Sequence, residues 1–375
     1  MPAALGALRI LDFSRVLAGP FATMMLADLG AEVTKVERPG VGDETRSWGP
    51  PHDDAGEATY FQSVNRNKSS VVLDLSAPEQ LAEARRLALA ADVVVENFRP
   101  GVMAKLGLDF ETLAAESPGL VYCSITGFGG EGAGAELPGY DLLIQALGGL
   151  MSITGEPDGE PLKVGVALVD VLAGLFATVG ILAALEHRRE SGEGQRVEVD
   201  LLSALLASLV NQGSAFTIAG QVPRRLGNRH PSIAPYELLR AKDGEFVLAV
   251  GNDRQFRDLC EVLGLPALAA EERFATNPAR VANRDELRPR LEAALAARGA
   301  AEWVALLGQR RVPAGLVNDV GAAFEFAASL GLEPTVEIPR PDGDPVRLTR
   351  NPIKLSKTPP SYRLAPPRLP GPGSE

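Results

Sequence analysis

Residues 8–40, LRILDFSRVLAGPFATMMLADLGAEVTKVERPG, decide the fold. Leu8–Phe13 is a short apolar run of strand type. Pro20–Gly30 reads as a helix, with proline in the first turn and glycine at the stop. Glu32–Glu37 alternates polar and apolar residues, as a half-buried strand does. Strand, helix and strand in so short a span leave room only for a parallel βαβ unit. The next segments repeat the alternation. Val71–Leu75 is a strand, and Ser76 is expected to cap a helix over Ala77–Ala90, with Glu79 completing a capping box. Asp92–Glu96 and Leu120–Thr126 are β-branched strands. The expected fold class is therefore α/β, a parallel sheet with Rossmann-like winding.

Further along, Val171–Arg189 is a long apolar helix that turns charged at its end. Glu198–Val210 is a second helix whose first residues also suit a strand. A loop rich in Gly, Pro and Arg covers 219–235. From Tyr236 the pattern restarts, with a strand at Glu245–Val250, a helix from Arg254 and a charged helix over Asn283–Arg298. This organisation implies a large domain over 1–200, a linker helix over 201–224, a smaller α/β domain over 225–315, and a return to the large domain over 316–375. The segment Lys357–Glu375, with two Pro-Pro pairs and PGPG, is expected to be extended. No internal repeat is found.

The 375 residues carry 37 Lys and Arg against 48 Asp and Glu, a net charge of −11. Such a field repels phosphate backbones, so nucleic acid and anionic membranes are unsuitable partners. Two distant cysteines, Cys123 and Cys260, exclude a disulfide framework or a cysteine-rich metal site. His52, His187 and His230 have no metal-ligand spacing, so no metal is expected. The N-terminus has no basic segment or cleavage site, which points to the cytoplasm. The apolar run Val171–Leu185 is shorter than the roughly 20 residues of a membrane span and fits a core helix.

Three features bear on chemistry. Gly127, Gly129 and Gly132 spell G-x-G-x-x-G after a strand, but the next helix begins only near Tyr140, so a dinucleotide fingerprint is misplaced. Asp170 stands at the front of the long helix. It suits an N-cap first, and also a nucleophilic carboxylate whose neighbouring N–H groups would stabilise an oxyanion. Finally Arg38, Lys68, Arg99 and Lys105 lie beside strand ends, three of them on the C-terminal side where open α/β sheets bind ligands, and their joint placement suggests a phosphate-bearing cofactor.

Several segments together resemble the class III coenzyme A transferases, a family that includes the α-methylacyl-CoA racemases. They are 8–46, NRNKSSVVLDL at 65–75, ADVVVENFRPGVMAKLGLDF at 91–110, GYDLLIQALGGLMSITGEPDGEP at 139–161, GVALVDVLAGLFATVGILAALEHR at 165–188 and SGEGQRVEVDLLSA at 191–204. The likeness covers nearly all of residues 5 to 355. It implies a Rossmann-like large domain built from both chain ends, a smaller domain, and a homodimer of interlocked subunits. It implies that Asp170 is the catalytic nucleophile, and that CoA and its acyl thioester act as substrates, with no tightly bound cofactor and a carboxylic acid as acceptor. The CoA-binding positions carry over to Leu17, Ala18, Arg38, Leu73, Asp74, Leu75, Ser76, Asn97, Phe98, Arg99, Lys105, Pro138, Gly139, Tyr140 and Asp141. Arg38 and Lys105 would meet phosphates; Asn97, Phe98 and the Leu73 segment would hold adenine or ribose.

The chain departs from parts of the family at Leu17, where some members have glutamine, and at Lys105, where some have arginine. A glycine-rich lid of some members falls on Gly251, Asn252 and Asp253, with one glycine only. Racemases carry a histidine where this chain has Tyr140. Tyrosine, with a pKa near 10, is a poor acid/base partner at neutral pH, which favours transferase over 2-methylacyl-CoA racemase, while the retention of Asp170 and most CoA positions speaks against a non-catalytic relative. His230 would line the site from the smaller domain. The blocks around 139–170, 227–237 and 251–256 look most like the succinyl-CoA-dependent dicarboxylate branch, with Arg224, Arg225 and Arg229 answering a distal carboxylate.

Overall fold

The computed structural model describes residues 3–341 and 343–369. The end of the expected extended tail, 370–375, lies outside them. The chain divides into two compact units. The first takes residues up to Leu150, Lys163–Gln221 and residues from Glu333 onward. The second takes Met151–Leu162 and Val222–Leu332, and so extends past both limits of the expected 225–315.

The first unit is a six-stranded sheet in the order β3-β2-β1-β4-β5-β6. Its strands are β1 (Arg9–Asp12), β2 (Glu32–Glu37), β3 (Lys68–Val72), β4 (Val93–Glu96), β5 (Val121–Thr126) and β6 (Arg196–Asp200). All five pairings are parallel. The longer helices between them are α1 (Ala18–Asp28), α2 (Pro78–Ala90), α3 (Asp141–Leu147) and α4 (Leu168–Ser191), and α5 (Leu201–Ser208) follows β6. Strand order reverses between β1 and β4, so the loops after those two strands part and leave a crevice.

The strands sort their side chains with period two. Ile10, Val93, Val95, Val121, Cys123 and Ile125 join α1, α4 and α5 in one core. Leu11, Val94 and Tyr122 turn to the opposite face and pack with α2 and the segment around Met103–Leu113. Along α4, Val169, Ala173, Ala177, Ile181 and Ala184 are buried, whereas Leu175, Phe176 and Val179 are exposed. By length and composition α4 would cross a membrane; in the fold its buried row packs on the sheet. At Gly174 an added Cβ would lie 2.6 Å from the Ala18 carbonyl oxygen, so α1 and α4 approach at their N-terminal ends where only glycine fits.

The chain's last segment rejoins this unit through the hairpin β10 (Thr335–Arg340) and β11 (Gly343–Thr349). Beyond it, Asp28 at the end of α1 gathers the Arg66 guanidinium, at 3.0 and 2.6 Å, and the amides of Asn67 and Asn351. Asn67 in turn bonds the carbonyl of Ser361 and the N–H of Arg363.

The second unit is built on an antiparallel sheet of β7 (Tyr236–Arg240), β8 (Glu245–Ala249) and β9 (Ala314–Leu316). Helices including α6 (Asp253–Val262) cover it, and Phe246, Phe256, Phe274, Leu291 and Trp303 fill its core. The expected α/β alternation does not hold here: the strands form an antiparallel sheet, with helices inserted between β8 and β9.

Candidate active site

The crevice at the strand-order reversal holds two adjoining cavities, and Arg15 and Phe98 stand in the walls of both. The larger, of about 410 Å³, is lined by Arg38, Leu73, Asp74, Leu75, Ser76 and Phe98 among others. The second, of about 210 Å³, is lined by Leu17, Ala18, Asn97, Phe98, Arg99, Pro138, Gly139, Tyr140 and Asp170. Residues far apart in sequence thus share one groove because each follows a strand or opens a helix on the same edge of the sheet. Lys105 lies exposed at the end of a short helix and lines neither cavity, although Leu106 beside it lines the larger one.

Asp170 is the third residue of α4, and the N-cap is Ala167, which offers no side-chain bond. Asp141 does the capping instead. Its Oδ1 accepts from the N–H of Val169 at 2.8 Å and of Asp170 at 3.4 Å, while Gln145 donates to its Oδ2. Asp141 therefore fixes the helix end rather than facing the groove. Leu168 N–H donates to Val166 and Val171 N–H to Ala167. The first-turn amides of α4 are thus engaged, and they do not form the oxyanion site that the helix terminus suggested. The Asp170 carboxyl accepts no hydrogen bond from them. Burial, reinforced by the Asp141 charge, pushes its pKa up to about 7.

Tyr140 and Asp141 are placed by a crossing of two loops. An added Cβ on Gly139 would sit 2.4 Å from Gly127 Cα, and one on Gly127 would sit 2.5 Å from Gly139 Cα. The glycine-rich loop after β5 thus serves by close backbone contact, with Gly129 and Gly132 at positive φ, and it opens no helix of the dinucleotide type.

The floor of the groove is a buried charge cluster. Lys68 bonds Asp12 at 3.1 Å, the Pro20 carbonyl and Asn65; Lys35 bonds Asp43 at 2.9 Å and the Ser14 carbonyl. All four charged side chains are fully enclosed. Burial opposes their charges, yet Lys68, Lys35 and two hydroxyls hold Asp12 below the usual carboxylate range. Burial brings Lys68 down to about 8. Lys68, the first residue of β3, is therefore a structural cation and is not available as a phosphate ligand. The cluster supports the loop after β1, where Val16 adopts φ 69°. That unusual conformation is held on both sides: Val16 N–H reaches the Asp43 carboxylate, and the Asn97 amide clamps the N–H and C=O of Arg15 at 2.8 and 2.7 Å. Asn97 is thereby engaged with this loop through both amide atoms, instead of being free for adenine or ribose.

Ser76 also differs from expectation. Its hydroxyl and N–H both bond Asp74, so helix α2 begins at Pro78 with Ala77 as an uncapped flank. Sequence reasoning passed over Arg15, Asp43, Glu44 and Trp48, which all line these cavities. Arg15 alone carried a legible signal, as the first cation after the strand at the reversal.

In the second unit, Asn252 caps α6 by accepting from Gln255 N–H, Gly251 N–H donates to the Gln255 side chain, and Asp253 pairs with buried Arg280 at 2.8 Å. The expected lid segment is here an ordered helix start. His230 accepts from Ser232 N–H through Nδ1 and rests against Tyr236. Arg225 donates to the carbonyls of Glu156 and Gly159, and Arg229 pairs with Asp285; Arg224 is exposed.

The sequence profile of CoA-transferase family III matches residues 5–372. A succinate–glutarate CoA-transferase of Agrobacterium fabrum is 45% identical over 370 residues, covering 97% of this chain and 92% of its own. A succinyl-CoA:glutarate CoA-transferase of Mus musculus is 42% identical, covering 96% of this chain and 83% of its own. Among solved structures, a CAIB/BAIF family protein from Brucella suis superposes with a TM-score of 0.87 at 42% identity, covering 98% of this chain and 97% of that one.

Proposed function

The chain belongs to CoA-transferase family III, and on that premise we propose that it moves CoA between succinyl-CoA and a second short dicarboxylate of the glutarate type, with Asp170 as the covalent carrier. The observation that carries this reading is the position of Asp170 in the wall of a groove that also contains most of the positions assigned to CoA. The relatives' names support the dicarboxylate.

In the first step an Asp170 carboxylate oxygen attacks the thioester carbonyl. The C–S bond breaks, CoA leaves as a thiolate, and a mixed anhydride of Asp170 and the acyl group forms. The thiolate then attacks the Asp170 carbonyl of the anhydride, releasing the donor acid as its carboxylate and leaving an aspartyl-CoA thioester. The acceptor carboxylate attacks that thioester, again expelling the thiolate. The thiolate finally attacks the acceptor's acyl carbon, giving the new acyl-CoA and regenerating Asp170. No proton is gained or lost. Each intermediate is an activated acyl species, so every step exchanges one high-energy bond for another. Partial burial suits the nucleophile, because a poorly solvated carboxylate is the more reactive one.

Two subunits are proposed to form a homodimer, supported by the family resemblance and by the apolar side chains left exposed on α4 and over Val210–Ala219, among them Phe176, Phe216 and Ile218. Mass spectrometry after incubation with succinyl-CoA and hydroxylamine tests the chemistry. A hydroxamate at Asp170 is expected; an unmodified Asp170, with full activity in Asp170→Ala, would sink the mechanism. If succinyl-CoA gives no turnover while formyl- or aryl-CoA does, the substrate assignment fails. Exchange of the C2 proton for deuterium without CoA transfer would instead indicate a racemase.

A further inference from the structure

Where the two cavities meet, one carboxylate serves two guanidinium groups. Glu44 Oε1 accepts from Arg15 Nη1 at 2.5 Å and from Arg38 Nη2 at 2.9 Å. The cluster is incompletely satisfied. Glu44 Oε2 and Arg15 Nε are buried and have no hydrogen-bond partner. Arg15 is held ready in other respects: Asn97 clamps its backbone, and its guanidinium lies over the Phe98 ring, 4.8 Å from the centroid. The backbone at Glu44 is equally fixed, since Asp43 caps the short 3-10 helix Glu44–Ser47 and is itself anchored by Lys35. The Glu44 side chain is partly exposed, and so is that of Arg38, which bonds Glu44.

Two arginines and one glutamate leave a net charge of +1 at the junction. A diphosphate would bring two negative charges, and arginine's planar fork matches phosphate oxygens better than it matches a single shared carboxylate oxygen. We propose that Glu44 is a displaceable counter-ion: it keeps Arg15 and Arg38 aimed across the junction in the free protein and yields both to the diphosphate of coenzyme A. Arg15 is then a ligand-binding residue in its own right, and Glu44 is a built-in competitor that weakens CoA binding and speeds its release. This rests on the CoA reading of the groove.

Calorimetric titration of the whole protein with CoA, 3′-dephospho-CoA and pantetheine tests it. Glu44→Gln keeps the shape and removes the charge; it should tighten CoA and dephospho-CoA by about three- to tenfold and leave pantetheine unchanged. Arg15→Ala should weaken both nucleotides at least about tenfold, again sparing pantetheine, and Arg15→Lys should recover only part of the loss. In Arg15→Ala the gain from Glu44→Gln should shrink. Weaker CoA binding by Glu44→Gln, in a variant with an unchanged melting temperature, overturns the proposal, as does a gain lost with dephospho-CoA, which would move the contact to the 3′-phosphate. Should Glu44→Gln fold poorly, Glu44→Ala carries the same expected sign and the same overturning result. Failure of the unaltered protein to bind CoA would instead overturn the reading of the groove.

Discussion

Asp170 couples reactivity to a cost in stability. Its pKa near 7 means that acid protonates the carboxylate, so with Asp170 as the proposed nucleophile kcat/KM should rise with pH through a limb near 7. The same shift has the opposite sign for folding. Between the ordinary carboxyl value and 7 the native state binds more protons than the unfolded chain, so this residue's contribution to stability falls as pH rises through that window. Asp170→Asn should therefore lose turnover by at least about a thousandfold while raising the melting temperature at pH 8, with the gain vanishing towards pH 4. Calorimetry across that range checks it; a destabilised variant at pH 8 would contradict the assigned environment. Asp141→Asn isolates the second cause of the shift. It keeps an oxygen to accept from Val169 and removes the neighbouring charge, so the acid limb should move below 7. A limb that stays in place would mean that burial alone sets it. At this scale the sequence singles out Asp170 but not its surroundings. The capping partner is 29 residues away and the buried Lys68–Asp12 pair is 56 residues apart. Local spacing rules see neither, which is why they offer an N-cap as one reading of Asp170 and count Lys68 among the cations that suggest a phosphate site.

At the scale of elements, the strands were legible because alternation records the two faces of a sheet. Glu32–Glu37 needed no correction, and the other expected strands of the first unit differ by a few residues. The start of α2 was not legible: Ser76 has the residue type of a cap, but Asp74, two residues earlier, takes both its hydroxyl and its N–H. The loop crossing was hidden for a related reason. Gly127 and Gly139 belong to separate loops, and neither is forced to be glycine by its own backbone conformation. Each needs it because the other's Cα is in the way. Gly139→Ala should push the loops apart, shift Tyr140 and loosen the Asp141 cap on α4. A cap of this kind is worth about 1 kcal/mol. The variant should therefore show a modest fall in melting temperature and a larger fall in kcat. Unchanged kcat with a lowered melting temperature would show that the crossing serves folding alone.

At the scale of the whole molecule, the net charge of −11 makes the groove's arginines a local exception, and Arg15 and Arg38 share their carboxylate partner Glu44. The composition could not show how the first unit is closed. Asp28 joins α1, the approach to β3 and the C-terminal segment through Arg66, Asn67 and Asn351. Breaking a buried pair by removing one partner costs about 3–5 kcal/mol. Asp28→Ala should cost that much in denaturant titration and render residues 350–369 sensitive to limited proteolysis. Full protection of that segment would show that the Asn67 and Arg363 bonds hold it unaided.

That closure bears on how the protein is made. Every strand of the six-stranded sheet has been synthesised by Asp200, yet Asn351 and Ser361 follow only after Val222–Leu332 of the second unit. During translation of the intervening residues, the nascent sheet waits with Asp28 lacking one of its partners and with Val222–Leu332 of the second unit still to emerge. A message cut short after the sheet would encode every strand of that sheet and Asp170 itself, but not the segment whose Asn351 and Ser361 bond Asp28 and Asn67.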